Sequence, residues 1–170
     1  TRHGFDQYFG LPYSNDMMKK ARVNGQLVVP LVRQEKVIEL LTGDDQDRLT
    51  ERYTDEALKF ITENRDRPFF LDVPHTAVHV PIHPGEKFRD QSKNGRYGDW
   101  VEEVDWSVGQ VFDTLRELKL GANTLVLFTS DNGGTPRAVN APFRGFKGST
   151  WEGGMREPTS AGGPELKGRG

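Results

Sequence analysis

An α/β fold is predicted by three features of this 170-residue chain. Two apolar runs, Phe69–Val73 and Leu125–Thr129, each end abruptly in turn residues. Between them, from about Gly98 to Lys119, Val101, Val104, Val108, Val111, Leu115 and Leu118 recur at helical spacing. A strand, a long crossover holding a helix, and a second apolar strand form the pattern of a parallel sheet with helices on its faces.

Each element has its own signal. Val28–Val32 and Lys36–Leu40 read as short strands about Arg33-Gln34-Glu35, and Pro30 favours an edge position for the first. A helix is expected over about Thr50–Glu63, with Tyr53, Ala57, Phe60 and Ile61 on one face and Arg67-Pro68 as its stop. Phe69–Val73 reads as a buried strand ending at Pro74. Gly121 is the expected stop of the long helix. After Pro158, Thr159–Gly163 lacks the apolar pattern of a strand.

Composition bounds the function. The length suits one modest domain and is short for two. Hydrophobic residues make up 34% and charged residues 28%, and no apolar run approaches the length of a membrane span. A net charge of −2 gives no case for nucleic-acid binding. Between Asn132 and Arg156, however, Arg137, Arg144, Lys147 and Arg156 face the single Glu152, a local excess that suits a small anion. With no cysteine, disulfides, zinc thiolates and a cysteine nucleophile are excluded from these residues. Thr1-Arg2-His3-Gly4 has neither an initiator methionine nor a signal-peptide pattern and reads as the start of a fragment.

In open α/β sheets, ligands bind beyond the carboxyl ends of the strands. His75 follows the first apolar run by two residues, and Asp131 and Asn132 directly follow the second. Parallel strands would bring all three to one rim. Asp131-Asn132-Gly133 reads as a plain turn or, at the end of a core strand, as a site for a hard cation such as Mg²⁺ or Ca²⁺. His75, His79 and His83 fall at i, i+4 and i+8, but Pro81 and Pro84 argue against a shared helical face. His75 is then a proton donor or anion contact, or an ordinary loop histidine like the others; His3 reads as structural. Lys147, in Arg144-Gly145-Phe146-Lys147-Gly148-Ser149-Thr150, lacks the order of a Walker loop. Its flanking glycines would let backbone amides and the ammonium converge on one oxyanion, the alternative being a solvated lysine. Glu152, Arg156 and Glu157 read as ion pairs that anchor the loop.

Four ordered motifs carry a family resemblance: Pro68-Phe69-Phe70-Leu71 leading to Pro74-His75-Thr76-Ala77-Val78-His79-Val80-Pro81; Thr129-Ser130-Asp131-Asn132-Gly133; Gly145-Phe146-Lys147-Gly148; and Glu152-Gly153-Gly154-Met155-Arg156-Glu157-Pro158. Together with Gly95-Arg96-Tyr97-Gly98-Asp99 and Arg2-His3-Gly4-Phe5-Asp6, they resemble the arylsulfatase and N-acetylgalactosamine-6-sulfatase branch of the alkaline phosphatase superfamily. The resemblance implies part of a mostly parallel sheet flanked by helices, in a single catalytic domain cut at both ends. It implies hydrolysis of a small sulfate ester or sulfated glycan at a Ca²⁺ centre, with a formylglycine nucleophile. Asp131 and Asn132 would be calcium ligands, Lys147 would hold sulfate oxygens, and His75 would contact the sulfate and assist the leaving oxygen. The family's Cys/Ser-x-Pro/Ala-x-Arg nucleophile segment does not occur here, so the chain by itself is expected to be inactive. A periplasmic, secreted or lysosomal setting is implied. The alternatives are a phosphodiesterase or phosphonate hydrolase of the same superfamily, and a non-catalytic fragment that binds sulfated glycans.

Overall fold

The alternating segments near the amino end do pair, and their inward residues make the first core. The computed structural model describes residues 4–20 and 22–163. Arg2 and His3 lie outside the described residues. The chain divides into two units, Thr1–Leu118 and Lys119–Gly170.

In the first unit the strands are β1 (Phe9–Gly10), β2 (Arg22–Val23), β3 (Gln26–Leu27), β4 (Val29–Arg33) and β5 (Lys36–Leu41). A three-stranded sheet runs in the order β1-β4-β5, and β2 pairs with β3 in a separate ribbon. All these pairs are antiparallel. β4 is therefore the middle strand, not the edge that Pro30 suggested. The proline is tolerated because β1 pairs only with Val32 and Arg33, so the second flank of Pro30, which lacks an N–H, meets no strand among the described residues. Val29, Leu31 and Leu41 point inward and close a core with Leu49 and Tyr53.

Leu49 and Tyr53 belong to α1 (Leu49–Glu63), which buries Tyr53, Ala57 and Ile61 as its periodicity predicted. The helix ends earlier than the Arg67-Pro68 stop, at Asn64, whose Nδ2 donates to the Phe60 carbonyl at 2.7 Å. The long helix, α2 (Gly95–Glu117), buries a different face from the one its valines marked. Trp100, Glu103 and Ser107 are buried, and Leu115 of the expected stripe with them, whereas Val101 is 43% exposed. Trp100 and Ser107 meet hydroxyls that α1 presents, Trp100 Nε1 donating to Thr50 Oγ1 at 3.1 Å and Ser107 Oγ lying 2.6 Å from Thr54 Oγ1, while Glu103 accepts from Gly85 N at 2.7 Å. Lys119 carries the left-handed backbone (φ 58°) that follows the helix, so Gly121 is not its stop.

The expected strand over Phe69–Val73 is not one. These residues form no ladder among the described residues, and Phe70 is 75% exposed. A strand is defined by its hydrogen-bonded neighbour, and this apolar run has none.

In the second unit, β6 (Val126–Thr129) confirms the second predicted strand, followed by a short helix, α3 (Glu152–Met155), and β7 (Thr159–Gly162). β7 lacks the apolar pattern of a buried strand, as read from Thr159–Gly163, yet it is a strand. It runs antiparallel to β6, from Val126 opposite Gly162 to Thr129 opposite Thr159. Backbone ladders do not require apolar side chains, and Thr129 and Thr159 add a cross-strand hydroxyl contact of 3.0 Å. The mixture of helices and strands holds, but the parallel pairing is not found: each described ladder is antiparallel.

Nor is β6 a buried strand, since Leu127 is 66% exposed and Phe128 41%. Exposed apolar strands invite self-association. Light scattering should therefore show concentration-dependent association of the chain, reduced by Leu127→Lys; unchanged association in that variant would locate the contact elsewhere.

Candidate active site

His75 lies in a loop, because the prolines around it forbid a helix as expected. His79 N donates to the Thr76 carbonyl at 3.1 Å in a single turn. His79 Nδ1 lies 2.8 Å from the Val80 carbonyl, and His83 Nδ1 lies 2.8 Å from Asp47 Oδ1. Both are ordinary hydrogen-bonded loop histidines. His75 differs. Its ring packs beside Tyr53 at 6.3 Å between centroids, and its Nε2 lies 3.4 Å from Ser107 Oγ. Its Nδ1 is buried with no hydrogen-bond partner. Burial disfavours the imidazolium and pushes its pKa down to about 4, so the ring is neutral at physiological pH.

The second unit holds the other three candidates. Asp131 and Asn132 leave the end of β6 in a turn, with Ser130 Oγ donating to the Asn132 carbonyl at 3.1 Å. No short hairpin follows; β7 returns only at Thr159. The chain instead folds back through glycines packed backbone against backbone. Gly133 N donates to Gly154 O at 3.1 Å, Lys147 N to Gly134 O at 2.9 Å and Gly153 N to Arg144 O at 2.8 Å. Asn140 Nδ2 bridges the Gly134 and Gly145 carbonyls at 3.0 and 3.2 Å. These bonds tie the Lys147 loop to the turn that carries Asp131 and Asn132.

Three of the backbone amides around Lys147 are engaged within the loop. Lys147 N is committed to Gly134 O, Ser149 N donates to Phe146 O, and Phe146 N donates to Ser149 Oγ. Gly145 (φ 87°) and Gly148 (φ 90°) serve the turn geometry. The Lys147 side chain itself is exposed. Two of the neighbouring cations have structural tasks. Arg144 stacks over Trp151 at 3.9 Å. Arg156 lies over Phe143 at 4.9 Å and pairs with Glu152 at 2.5 Å, as the ion-pair reading of those residues expected.

Asp131 and Asn132 offer a carboxylate and an amide oxygen, hard donors of the kind Ca²⁺ takes. Among the described residues, no group of three or more His, Asp or Glu side chains gathers as a metal cluster. The pair fits calcium as part of a shell that needs further oxygens, since the ion takes about six to eight. His75 belongs to the first unit, and Asp131, Asn132 and Lys147 to the second.

Sequence reasoning missed Ser107 and Thr54, which back His75, and the role of Gly133, Gly153 and Gly154. A signal existed for the hydroxyls. Trp100, Glu103 and Ser107 repeat at three and four residues along α2, and Thr50 and Thr54 at four along α1.

Comparison with known proteins agrees with the motifs. A family model described as Sulfatase matches residues 1–164. N-acetylgalactosamine-6-sulfatase of Sus scrofa is 40% identical over 179 residues, covering 94% of this chain and 33% of the relative. Steryl-sulfatase of Homo sapiens is 42% identical over 122 residues, covering 66% of this chain and 21% of the relative. Among solved structures, the PsFucS1 sulfatase from Pseudoalteromonas sp. superposes with a TM-score of 0.79 at 30% identity, over 94% of this chain and 38% of that one. Ps i-CgsB in complex with k-i-k-neocarrahexaose gives 0.74 at 29% identity, over 95% and 40%. The chain thus shares part of the alkaline phosphatase-like fold with these solved structures. The chain spans about a third of the length of the N-acetylgalactosamine-6-sulfatases it matches.

Proposed function

The chain belongs to the sulfatase family, and on that premise we propose that it supplies part of a site where a sulfate monoester is hydrolysed. Asp131 and Asn132 hold Ca²⁺, Lys147 neutralises the sulfate oxygens, and His75 contacts the transferring group and the leaving oxygen. Bound there, the metal would act as a Lewis acid on the sulfate, an effect on the order of several kcal/mol in metal sites of this kind. The observation that carries the reading is the hydrogen bond from Lys147 N to Gly134 O at 2.9 Å. It anchors a cationic loop two residues beyond the paired oxygen donors, where an ammonium and a metal can share one anion. The relatives named N-acetylgalactosamine-6-sulfatase and the neocarrahexaose bound to Ps i-CgsB support a sulfated saccharide as the substrate class.

The nucleophile is assigned to no residue here, because these 170 residues contain neither cysteine nor a Cys/Ser-x-Pro/Ala-x-Arg segment. The chain incubated with a chromogenic aryl sulfate and Ca²⁺ should show no turnover, and robust turnover would overturn that expectation. Binding is the positive test. Calorimetry with inorganic sulfate should show Ca²⁺-dependent binding, weakened about tenfold or more by Lys147→Ala, the scale of one hydrogen bond to a charged group. Asp131→Ala should abolish the calcium dependence. Metal-independent binding of a sulfated oligosaccharide that survives Lys147→Ala would favour a glycan-binding role instead.

A further inference from the structure

Resting on that reading of His75, we infer that Ser107 is its positioning residue. A line of hydroxyls from the α1 backbone holds the imidazole with its proton on Nε2 and leaves Nδ1, with its lone pair, the nitrogen without a partner.

The direction of each hydrogen bond follows from one fixed end. Thr54 Oγ1 lies 2.8 Å from the Thr50 carbonyl. A carbonyl only accepts, so the single hydroxyl proton of Thr54 is committed there. Thr54 Oγ1 and Ser107 Oγ are 2.6 Å apart, and with the threonine proton engaged, Ser107 must donate. Ser107 then has only lone pairs to offer His75 Nε2 at 3.4 Å, so Nε2 carries the hydrogen. The line cannot readily reverse. Thr50, Thr54 and Ser107 are each only 1% exposed, which keeps competing water away, and Trp100 Nε1 pins Thr50 Oγ1 at 3.1 Å. A neutral imidazole has one donor and one acceptor nitrogen. With Nε2 the donor, Nδ1 is the acceptor, and it is the nitrogen that has no partner. At rest, His75 can hold a hydroxyl or an N–H. A contact with an anionic sulfate oxygen, itself an acceptor, requires the protonated ring.

The test is two-dimensional ¹⁵N–¹H NMR of the chain labelled at its histidines, at neutral pH and without metal or sulfate, with His75→Gln identifying the signals. The wild-type spectrum should show His75 protonated at Nε2 and unprotonated at Nδ1; the opposite tautomer, or an even mixture, overturns the inference whether or not any variant folds. Ser107→Ala should lower the ratio of the Nε2–H to the Nδ1–H form about fivefold, the factor one ordinary hydrogen bond represents, and Ser107→Thr should restore it. Thr54→Val frees the Ser107 proton to turn towards Nε2 and should shift the population to Nδ1–H. Thr54→Ser should leave it alone. If Ser107 only fills space, folded Ser107→Ala and Thr54→Val will keep the wild-type pattern, and the inference fails. Because neither calcium nor sulfate is present, this outcome is separate from the success or failure of the binding tests above.

Discussion

Gly153→Ala is expected to destabilise the second unit by about 3 kcal/mol or more and to release the Lys147 loop. A Cβ at Gly153 would sit 2.3 Å from the Gly145 carbonyl oxygen and 2.8 Å from that of Arg144. Both are backbone atoms and cannot step aside as the tip of a flexible side chain would. The Arg144 oxygen also accepts the Gly153 N–H at 2.8 Å, so relieving the clash breaks the bond that closes the loop. Overpacking typically costs about 1–3 kcal/mol, and more where the neighbour is rigid. Gly133 and Gly154 are as tightly enclosed, with a Cβ meeting Gly153 O at 2.2 Å and Ser149 O at 2.4 Å respectively. Gly121→Ala is the control: nothing lies within 4 Å of its Cβ, so the change should stay within about 0.5 kcal/mol. Hydrogen exchange reads the local effect. The Gly133 and Lys147 amides should lose protection in Gly153→Ala and keep it in Gly121→Ala. Retained protection in the first variant would show that the glycines are not what fixes Lys147 beside Asp131 and Asn132.

The second large effect is on pH dependence and comes from two buried groups in the first unit. Burial pushes Glu103 up to about 7 against an ordinary 4.5, partly offset by the hydrogen bond from Gly85 N. As pH rises above 4.5 the unfolded chain releases this proton while the folded protein retains it, so stability is lost towards pH 7. The shift corresponds to roughly 3 kcal/mol. His75 works in the opposite sense. Its pKa is lowered from 6.5 to about 4, so as pH falls below 6.5 the unfolded chain takes up a proton that the folded protein refuses. Stability is then lost towards pH 4, by a similar amount. Between about 4.5 and 6.5 the two slopes oppose and largely cancel. Glu103→Gln, which keeps a side-chain oxygen for Gly85 N, removes one of them. Relative to wild type, its urea-unfolding free energy should climb by about 1.4 kcal/mol per pH unit between 4.5 and 7 and level off above. A variant curve parallel to the wild-type curve would mean that Glu103 titrates alike in both states.

What could be read from the sequence depended on how local the cause was. The pair β4 and β5, the helix α1 and the strand β6 follow from alternation or periodicity within a few residues, and these appeared close to their expected bounds. Phe69–Val73 carries as strong an apolar signal as β6 but forms no strand, because strand formation depends on a partner that the segment's own residues do not specify. β7 is the converse case, in which Thr159–Gly162 pairs through its backbone with no apolar signal. On α2 the valines suggested one buried face, yet Ser107 is buried against the Thr54 hydroxyl of α1, and Trp100 against that of Thr50. That complementarity becomes visible only when the two helices are read together. Asp131, Asn132 and Lys147 were legible because turn and glycine chemistry marks them locally. The close contacts of Gly133 with Gly153 and Gly154 join residues about twenty apart and could not be read from any one segment.

The central proposal is that the Asp131–Asn132 pair and Lys147 act on one anion beside one metal. Paramagnetic relaxation tests it directly: Mn²⁺, titrated to millimolar concentration as a substitute for calcium, broadens NMR signals according to their distance from the ion. Asn132 and Lys147 should broaden together and sharpen again when Ca²⁺ is added. Broadening of Asn132 while Lys147 stays sharp would contradict the proposal.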